Sequence, residues 1–152
     1  MTESGIYFAE GNAKNPQIDF NIHTGDLILS GRSIPENAAK IYEPVLKLAE
    51  EYIKTPRQIT NFRLNLYYFN SASMIWFARL VKTFARIDRE DAILFVHLYF
   101  DQEDYDLMDP DEIRDMVCSL VEHAGPGKVS IGIKVYALNK ENIVVKQDTI
   151  LT

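Results

Sequence analysis

The stretch Phe62-Arg-Leu-Asn-Leu-Tyr-Tyr-Phe-Asn-Ser-Ala-Ser-Met-Ile-Trp-Phe-Ala-Arg-Leu80 contains the change of hydrophobic period that decides the fold. In its first half the side chains alternate between two faces, which is typical of a β-strand. The predicted faces are Phe62, Leu64, Leu66 and Tyr68 on one side and Arg63, Asn65, Tyr67 and Phe69 on the other. After Asn70, apolar residues recur at intervals of three and four, which predicts one face of an α-helix. Because the first N–H groups of a helix lack partners, Asn70 or Ser71 is a natural N-cap.

Length and composition indicate one globular domain. The chain has 152 residues, of which 47% are hydrophobic and 25% charged, so a real core can form and global disorder is not expected. The net charge of −6 argues against nucleic acid or an anionic membrane as the main partner. The single cysteine, Cys118, excludes an internal disulfide and fits a reducing compartment.

The sequence lacks the usual signals for export, membrane insertion and catalysis. No apolar run reaches the about 20 residues that span a bilayer, and no signal peptide pattern opens the chain, so we expect a cytoplasmic protein. Gly-rich phosphate loops, nucleophile elbows and zincin motifs are absent, and we expect no enzyme, no cofactor and no metal. His23, His97 and His123 make no metal-type spacing with Cys118, and His97 is expected to be a satisfied core histidine.

The elements before the central stretch start with a β-hairpin. Two alternating runs meet at His23-Thr-Gly-Asp26, and Gly31 is expected to end the hairpin. Ser33-Ile-Pro-Glu36 has the pattern of a capping box for the next helix. Pro44 lies inside that helix and predicts a kink or a split, and the helix is expected to stop by Thr55-Pro56.

The elements after the central stretch continue the alternation of helix and strand. We expect the central helix to end near Arg86 and residues 92–100 to form a strand buried on both faces. The predictions that follow are an acidic stretch from Asp101 to Glu112, a helix from Ile113 to His123 broken by Gly125-Pro-Gly127, a strand from Val129 to Leu138, and an edge strand or tail from Ile143 to Lys146.

This order predicts an α/β fold with a mixed sheet that opens with a β-hairpin, parallel strand pairs, right-handed crossovers and helices packed on the sheet. It is the layout of a small single domain of the STAS (anti-sigma-factor antagonist) kind. The expected organisation is a loose lead-in over 1–16, the domain over 17–138 and a C-terminal extension over 139–152.

Four segments carry a family resemblance. They are Gly31-Arg-Ser-Ile-Pro-Glu-Asn37, Tyr42-Glu-Pro-Val45, Tyr68-Phe-Asn-Ser-Ala-Ser73 and Tyr99-Phe-Asp-Gln-Glu-Asp-Tyr-Asp-Leu-Met108. In order and spacing they resemble the SiaC-type regulatory phosphoproteins of bacteria over about residues 17 to 135. The resemblance implies a STAS-like domain that a histidine-kinase-like Ser/Thr protein kinase phosphorylates and a PP2C-type phosphatase dephosphorylates. It also implies that the unphosphorylated form binds and activates a diguanylate cyclase.

Matched position by position, the resemblance places the phosphoacceptor at Ser71, with Asn70, Ala72 and Ser73 around it. The chain has serine where threonine is common, Ala72 in place of a hydroxyl residue, and Met74 where a basic residue is frequent. The last two differences bear on the choice of partner. The other motif residues, which the resemblance makes candidates for partner binding, are Arg32, Pro35, Glu36, Asn37, Tyr68, Asp101, Glu103 and Asp104.

The residues themselves leave several alternatives open. A helix N-terminus accommodates a phosphate on Ser71, yet the two serines can also act only as caps. The acidic stretch from Asp101 is a solvated loop and helix turn, a partner-binding rim or a metal site. Tyr67, Phe69 and Trp76 are interface anchors where exposed, and core residues otherwise. The alternative functions are an anti-sigma-factor-antagonist-like partner-switching protein, a response-regulator receiver and a carboxylate-based metal-dependent enzyme.

Overall fold

The computed structural model describes residues 2–121 and 127–151, and this part of the chain forms eight strands and four helices. They are β1 (Thr2–Glu3), β2 (Ile6–Ala9), β3 (Gln17–Asn21), β4 (Asp26–Ser33), α1 (Ala38–Tyr52), β5 (Ile59–Phe69), α2 (Ser71–Phe84), β6 (Ile93–Asp101), α3 (Gln102–Leu107), α4 (Pro110–Val121), β7 (Ser130–Leu138) and β8 (Val144–Leu151). The predicted helix end at His123 and the start of its Gly-Pro breaker lie outside the described residues.

All eight strands belong to one sheet in which each strand pairs with the next strand in sequence. β1 to β4 are antiparallel, β4 to β7 are parallel, and β8 returns antiparallel along β7. The three parallel connections contain α1, then α2, then α3 with α4. The predicted α/β fold, with a mixed sheet, an opening hairpin and helices between parallel strands, is therefore confirmed.

The helices pack on one face of the sheet, α1 against α2 and α2 against α4. The core lies between these two layers, and Phe84 occupies its middle, with edge-on or tilted ring contacts of 6.0–6.1 Å to Phe20, Tyr52 and Phe62. The expectation that β6 is buried on both faces is wrong. When neighbouring strands of a parallel sheet follow each other in sequence, right-handed crossovers place all the helices on the same side of the sheet. The opposite side is here called the helix-free face. On this face Phe95 and Tyr99 of β6 are only half-buried.

Both ends of the chain extend the sheet. The segment predicted as a loose lead-in contains β1 and β2, and β2 pairs with β3 through Tyr7 and Phe20. β1 was missed because it has two residues, and β2 because it has four whose side chains are exposed or only partly buried. At the other end, the C-terminal extension forms the eight-residue edge strand β8. The sequence leaves two alternatives for this segment, an edge strand or a tail.

The connection from β4 to α1 differs from the prediction. Gly31 has a φ of +93° but does not end the strand: the β4–β5 register shifts between Gly31 and Arg32, and the strand continues to Ser33. The capping box is wrong as well: Ser33 is a buried strand residue, and the N-cap is Asn37, whose side chain accepts from the N–H of Lys40 at 3.3 Å. Pro44 does not split α1, which is continuous because Tyr42 and Val45 on either side of it pack into the core.

Candidate functional site

The junction between β5 and α2 has the geometry of a well-capped helix start. Asn70 is the N-cap, and its side-chain oxygen accepts from the N–H of Ser73 at 2.9 Å. The helical ladder begins with the N–H of Met74, which donates to the Asn70 carbonyl at 3.1 Å. Ser71 is therefore the first helical residue. The N–H groups of Ser71 and Ala72 are the donors at this end that the cap does not use.

The two serines of the junction have opposite environments. Ser71 is exposed, whereas Ser73 is fully buried. The hydroxyl of Ser73 lies 2.7 Å from the Ser33 hydroxyl, 2.9 Å from the Ser33 carbonyl and 2.7 Å from the Asn70 side-chain oxygen. The Ser33 hydroxyl in turn bonds to the hydroxyl of Tyr42, which is also fully buried. Of these two serines, Ser71 is therefore the one whose hydroxyl is accessible to another protein.

A bulge at the end of β5 shapes the surface beside Ser71. Leu66 pairs with Gly31 but Tyr68 pairs with Arg32, so Tyr67 is an extra residue between the two pairs. The bulge changes the alternation, and the Phe69 ring packs on Phe77 of α2 with centroids 5.8 Å apart. The predicted faces of Tyr68 and Phe69 are therefore wrong. Tyr67 and Tyr68 are 79% and 65% exposed, so the bulge places two neighbouring tyrosines on the surface.

An open groove between α2 and α4 begins at Ser71. This Ser71 groove is lined mainly by Phe69, Ser71, Met74, Ile75, Ala78 and Ser119. Ile75 is 56% exposed and Phe69 38%, so Ile75 is the more exposed of these two large apolar side chains of the groove. Trp76 is not part of this surface, because it is 8% exposed and stacks on Tyr42 with ring centroids 6.3 Å apart. Of the three candidate anchors, Tyr67 is exposed, Phe69 is partly exposed and Trp76 belongs to the core.

The acidic residues after β6 lie at the same edge of the sheet as Ser71. β5 and β6 are adjacent and parallel, so their carboxyl ends meet at one edge. Asp101, Glu103 and Asp104, together called the acidic edge, are exposed at the end of β6 and the start of α3. A cleft between β5 and the β7–β8 turn is lined by Asp101 and Asp104 together with Tyr67 and Lys140. Ser71, the exposed tyrosines and the acidic edge thus lie at or just after the carboxyl ends of β5 and β6, at one edge of the sheet.

The remaining motif residues are distributed around the start of α1. Arg32 is exposed and pairs with Tyr68, so the strand register brings both next to the junction. Pro35 is buried and Asn37 serves as the N-cap of α1. Glu36 is exposed and forms an ion pair with Lys14 at 2.7 Å, which lowers the pKa of its carboxyl group. For Pro35 and Asn37 the structure thus shows roles in building the fold.

The helix-free face carries a polar network centred on His97. The sequence predicted that His97 has hydrogen-bond partners but did not identify them. The Nε2 of His97 lies 2.7 Å from the Asn61 side-chain oxygen, and its Nδ1 lies 2.7 Å from the Tyr136 hydroxyl. The Asn61 amide donates to Asp26 at 3.1 Å, which assigns its oxygen to His97. Nε2 therefore carries the proton, and Nδ1 accepts from Tyr136. Burial, with the nearby charges of Arg63 and Lys134, lowers the pKa of His97 to about 3.

The network gives His97 the satisfied environment that the sequence predicted. The other members of the network, Asp26, Asn61 and Tyr136, come from β4, β5 and β7, and the pairing register of these strands is the information that local sequence patterns lack. Among the described residues, no three His, Cys, Asp or Glu side chains are grouped so that they could hold a metal ion. No helix in the described part of the chain combines the length and apolar character needed to cross a membrane.

Fold and site together define a small α/β protein whose accessible candidate group is a serine at a helix start. A family model described as SiaC family regulatory phosphoprotein matches residues 9–120. The chain belongs to this family, and the resemblance found in the sequence is confirmed. β1, most of β2, β7 and β8 lie outside the matched residues.

Solved structures of the same family have a similar fold. The crystal structure of apo-SiaC from Pseudomonas aeruginosa matches with a TM-score of 0.57 and 17% identity, covering 83% of this chain and 97% of that chain. The crystal structure of the diguanylate cyclase SiaD in complex with its activator SiaC, also from Pseudomonas aeruginosa, matches with a TM-score of 0.63 and 16% identity, covering 82% and 97%. At sequence identities of 16–17%, the similarity to these structures shows a shared fold. No curated protein matches the chain.

Proposed function

We propose that this chain is a non-enzymatic regulatory phosphoprotein in which reversible phosphorylation of Ser71 controls the binding of a partner protein. The observation that carries the proposal is the contrast between the two serines: Ser71 is exposed at the first helical position, whereas Ser73 is buried with its hydroxyl engaged. A histidine-kinase-like Ser/Thr kinase adds the phosphate and a PP2C-type phosphatase removes it, as the resemblance implies. The protein acts in the cytoplasm and carries out no catalysis itself.

The helix start can hold the phosphate without unfolding. A phosphate on Ser71 adds about −1.5 to −2 charges and three acceptor oxygens. The N–H groups of Ser71 and Ala72 and the positive end of the α2 dipole lie at the same point. The cap itself is retained, because Asn70 binds the N–H of Ser73, whereas a phosphate on Ser71 can bind the N–H groups of Ser71 and Ala72 instead. We therefore expect phosphorylation to change the surface and leave the fold intact.

The surface around Ser71 supports a role in protein binding. Tyr67, Tyr68 and Ile75 are large, exposed and close to the modified residue, and exposed aromatic side chains are frequent anchors of protein interfaces. A phosphate would add negative charge beside the acidic edge. It would repel an acidic partner surface and raise the cost of desolvating the apolar Ser71 groove. The unphosphorylated form is accordingly the binding form.

The partner that we propose is a diguanylate cyclase, which the unphosphorylated protein activates. The solved structure of SiaD with its activator SiaC shows such a pair for the Pseudomonas aeruginosa proteins. This chain has the same fold, and we propose for it the same relation to a cyclase. The exposed motif residues Arg32 and Tyr68, together with Asp101, Glu103 and Asp104, are the positions that we propose for partner contact, because they lie at the same edge of the sheet as Ser71.

The experiment that tests this proposal compares three forms of the protein: unmodified, Ser71→Ala, and a form with phosphoserine incorporated at position 71. Each is titrated onto a purified diguanylate cyclase of the same organism, with binding and cyclic di-GMP production as readouts. We expect Ser71→Ala to bind and activate like the unmodified protein and the phosphoserine form to bind at least tenfold more weakly. Ser71→Asp should lie between them, since one carboxylate supplies only part of the phosphate charge.

Circular dichroism of all forms checks that the fold is retained. After incubation with the kinase, mass spectrometry should locate the phosphate on Ser71 and not on Ser73. Equal binding of the phosphoserine form and the unmodified protein would contradict the switch, and undiminished phosphorylation of Ser71→Ala would contradict the site.

A further inference from the structure

The residues Tyr42, Ser33 and Ser73 form a buried chain of three hydroxyl groups beneath the Ser71 site. Tyr42 comes from α1, Ser33 is the last residue of β4, and Ser73 lies in the first turn of α2. All three are fully buried. The Ser33 hydroxyl bonds to that of Tyr42 on one side and lies 2.7 Å from that of Ser73 on the other. This hydroxyl chain joins three elements at the point where the helix starts.

We propose that Ser33 and Tyr42 are positioning residues for the Ser71 site, because the hydroxyl chain holds the first turn of α2 in the arrangement that presents Ser71 and withholds Ser73. The inference rests on the proposed function of Ser71. It gives a role to two residues of the family motifs whose side chains are far too buried to touch a partner protein.

The direction of the hydroxyl chain follows from the number of protons. The Asn70 side-chain oxygen and the Ser33 carbonyl can only accept, so the single proton of the Ser73 hydroxyl goes to one of these two acceptors. The Ser33 hydroxyl must therefore donate to Ser73, and Tyr42 must donate to Ser33. Burial raises the pKa of Tyr42 to about 12, so Tyr42 keeps its proton at neutral pH. Every hydroxyl then donates once, and the donations run from Tyr42 through Ser33 to Ser73.

The hydroxyl chain ends on the cap of α2. The Asn70 side-chain oxygen that receives the Ser73 N–H lies 2.7 Å from the Ser73 hydroxyl, and the Asn70 N–H donates to the Ser33 carbonyl at 3.0 Å. Asn70 is thus held from both its backbone and its side chain by groups that belong to the hydroxyl chain. Because hydrogen bonds in a buried network polarise one another, removing the inner members weakens the cap at its outer end.

Two variants interrupt the hydroxyl chain and one serves as a matched control. Ser33→Ala removes the middle hydroxyl, and Tyr42→Phe removes the first donor. The control is Tyr52→Phe, since Tyr52 is a second buried tyrosine of α1 whose hydroxyl bonds to Thr60 at 2.8 Å and accepts from the N–H of Arg57 at 3.1 Å. These partners of Tyr52 lie in and before the first residues of β5, at the opposite end of that strand from Ser71.

The test measures amide hydrogen exchange of the full chain, residue by residue. We expect the Ser73 amide to exchange about tenfold faster in Ser33→Ala, less so in Tyr42→Phe, and at the unmodified rate in Tyr52→Phe. The double variant Ser33→Ala with Tyr42→Phe separates positioning from stability. It removes the unpaired tyrosine donor that Ser33→Ala leaves behind, so the denaturation midpoint should recover while the fast exchange at Ser73 persists.

Two outcomes would overturn the inference: an unchanged exchange rate at Ser73 in Ser33→Ala, or a rate that returns to normal together with the midpoint in the double variant. The proposed function fails differently. If exchange changes as expected but phosphoserine at position 71 leaves binding to the diguanylate cyclase unaltered, the hydroxyl chain positions the helix start and Ser71 is not a switch.

Discussion

Lowering the pH from 7.5 to 5.0 should destabilise the protein through His97. Its pKa is lowered from 6.5 to about 3 in the folded state, so the unfolded chain binds a proton that the folded chain excludes. The neutral His97 therefore contributes to the free energy of unfolding; this contribution is complete above pH 6.5 and is lost as the pH falls toward 3. With these two values, linkage gives a loss of about 2 kcal/mol at pH 5.0. The structural origin is that both ring nitrogens already have partners and the ring is 3% exposed.

Urea denaturation followed by the fluorescence of the single tryptophan, Trp76, measures this loss at the two pH values. The variant His97→Gln removes the titrating ring, and its stability should fall by about 2 kcal/mol less than that of the unmodified protein over the same interval. His23→Gln, at the exposed histidine of the β3–β4 turn, controls for the residue type and should retain the full fall. The same loss in His97→Gln as in the unmodified protein would refute the assignment of a neutral His97.

Three further predictions concern α1, the core and catalysis. Pro44→Ala should raise stability by about 1–3 kcal/mol, because α1 runs through Pro44 and regains a backbone hydrogen bond; a lower melting temperature would contradict this. Trp76→Ala should cost about 3–5 kcal/mol in thermal or urea unfolding, whereas Tyr67→Ala should change stability by less than about 0.5 kcal/mol and weaken cyclase binding. The purified protein should show no phosphatase or nucleotidase turnover, and an activity abolished by Asp101→Asn or Asp104→Asn would favour the enzyme alternative.

The parts of the fold that depend on local pattern could be predicted from the sequence. The change of period at Asn70 placed the end of β5 and the start of α2, because the alternation and the helical spacing act within a few residues. The exposed position of Ser71 follows from the same junction. The parallel order of the strands followed from the alternation of strands and helices.

The parts that depend on distant contacts could not be predicted. Ser33 resembles a helix cap locally, but its partner Ser73 is forty positions away in sequence and holds it at the end of β4. The bulge at Tyr67 needs the register with β4, which no pattern within β5 contains. The hydroxyl chain and the His97 network have the same cause, since residues that look unrelated in sequence meet only after the sheet is assembled.

The unbroken order of strands also bears on how the chain reaches its fold. Each strand after β1 pairs with the strand that precedes it in sequence, with at most one crossover in between. Loop closure is therefore short at every step, and no strand has to be inserted between two others that are already paired. Such a sheet can grow strand by strand from β1 to β8 while the chain is synthesised, and α2 can acquire its cap as soon as Asn70 and Ser73 have both emerged.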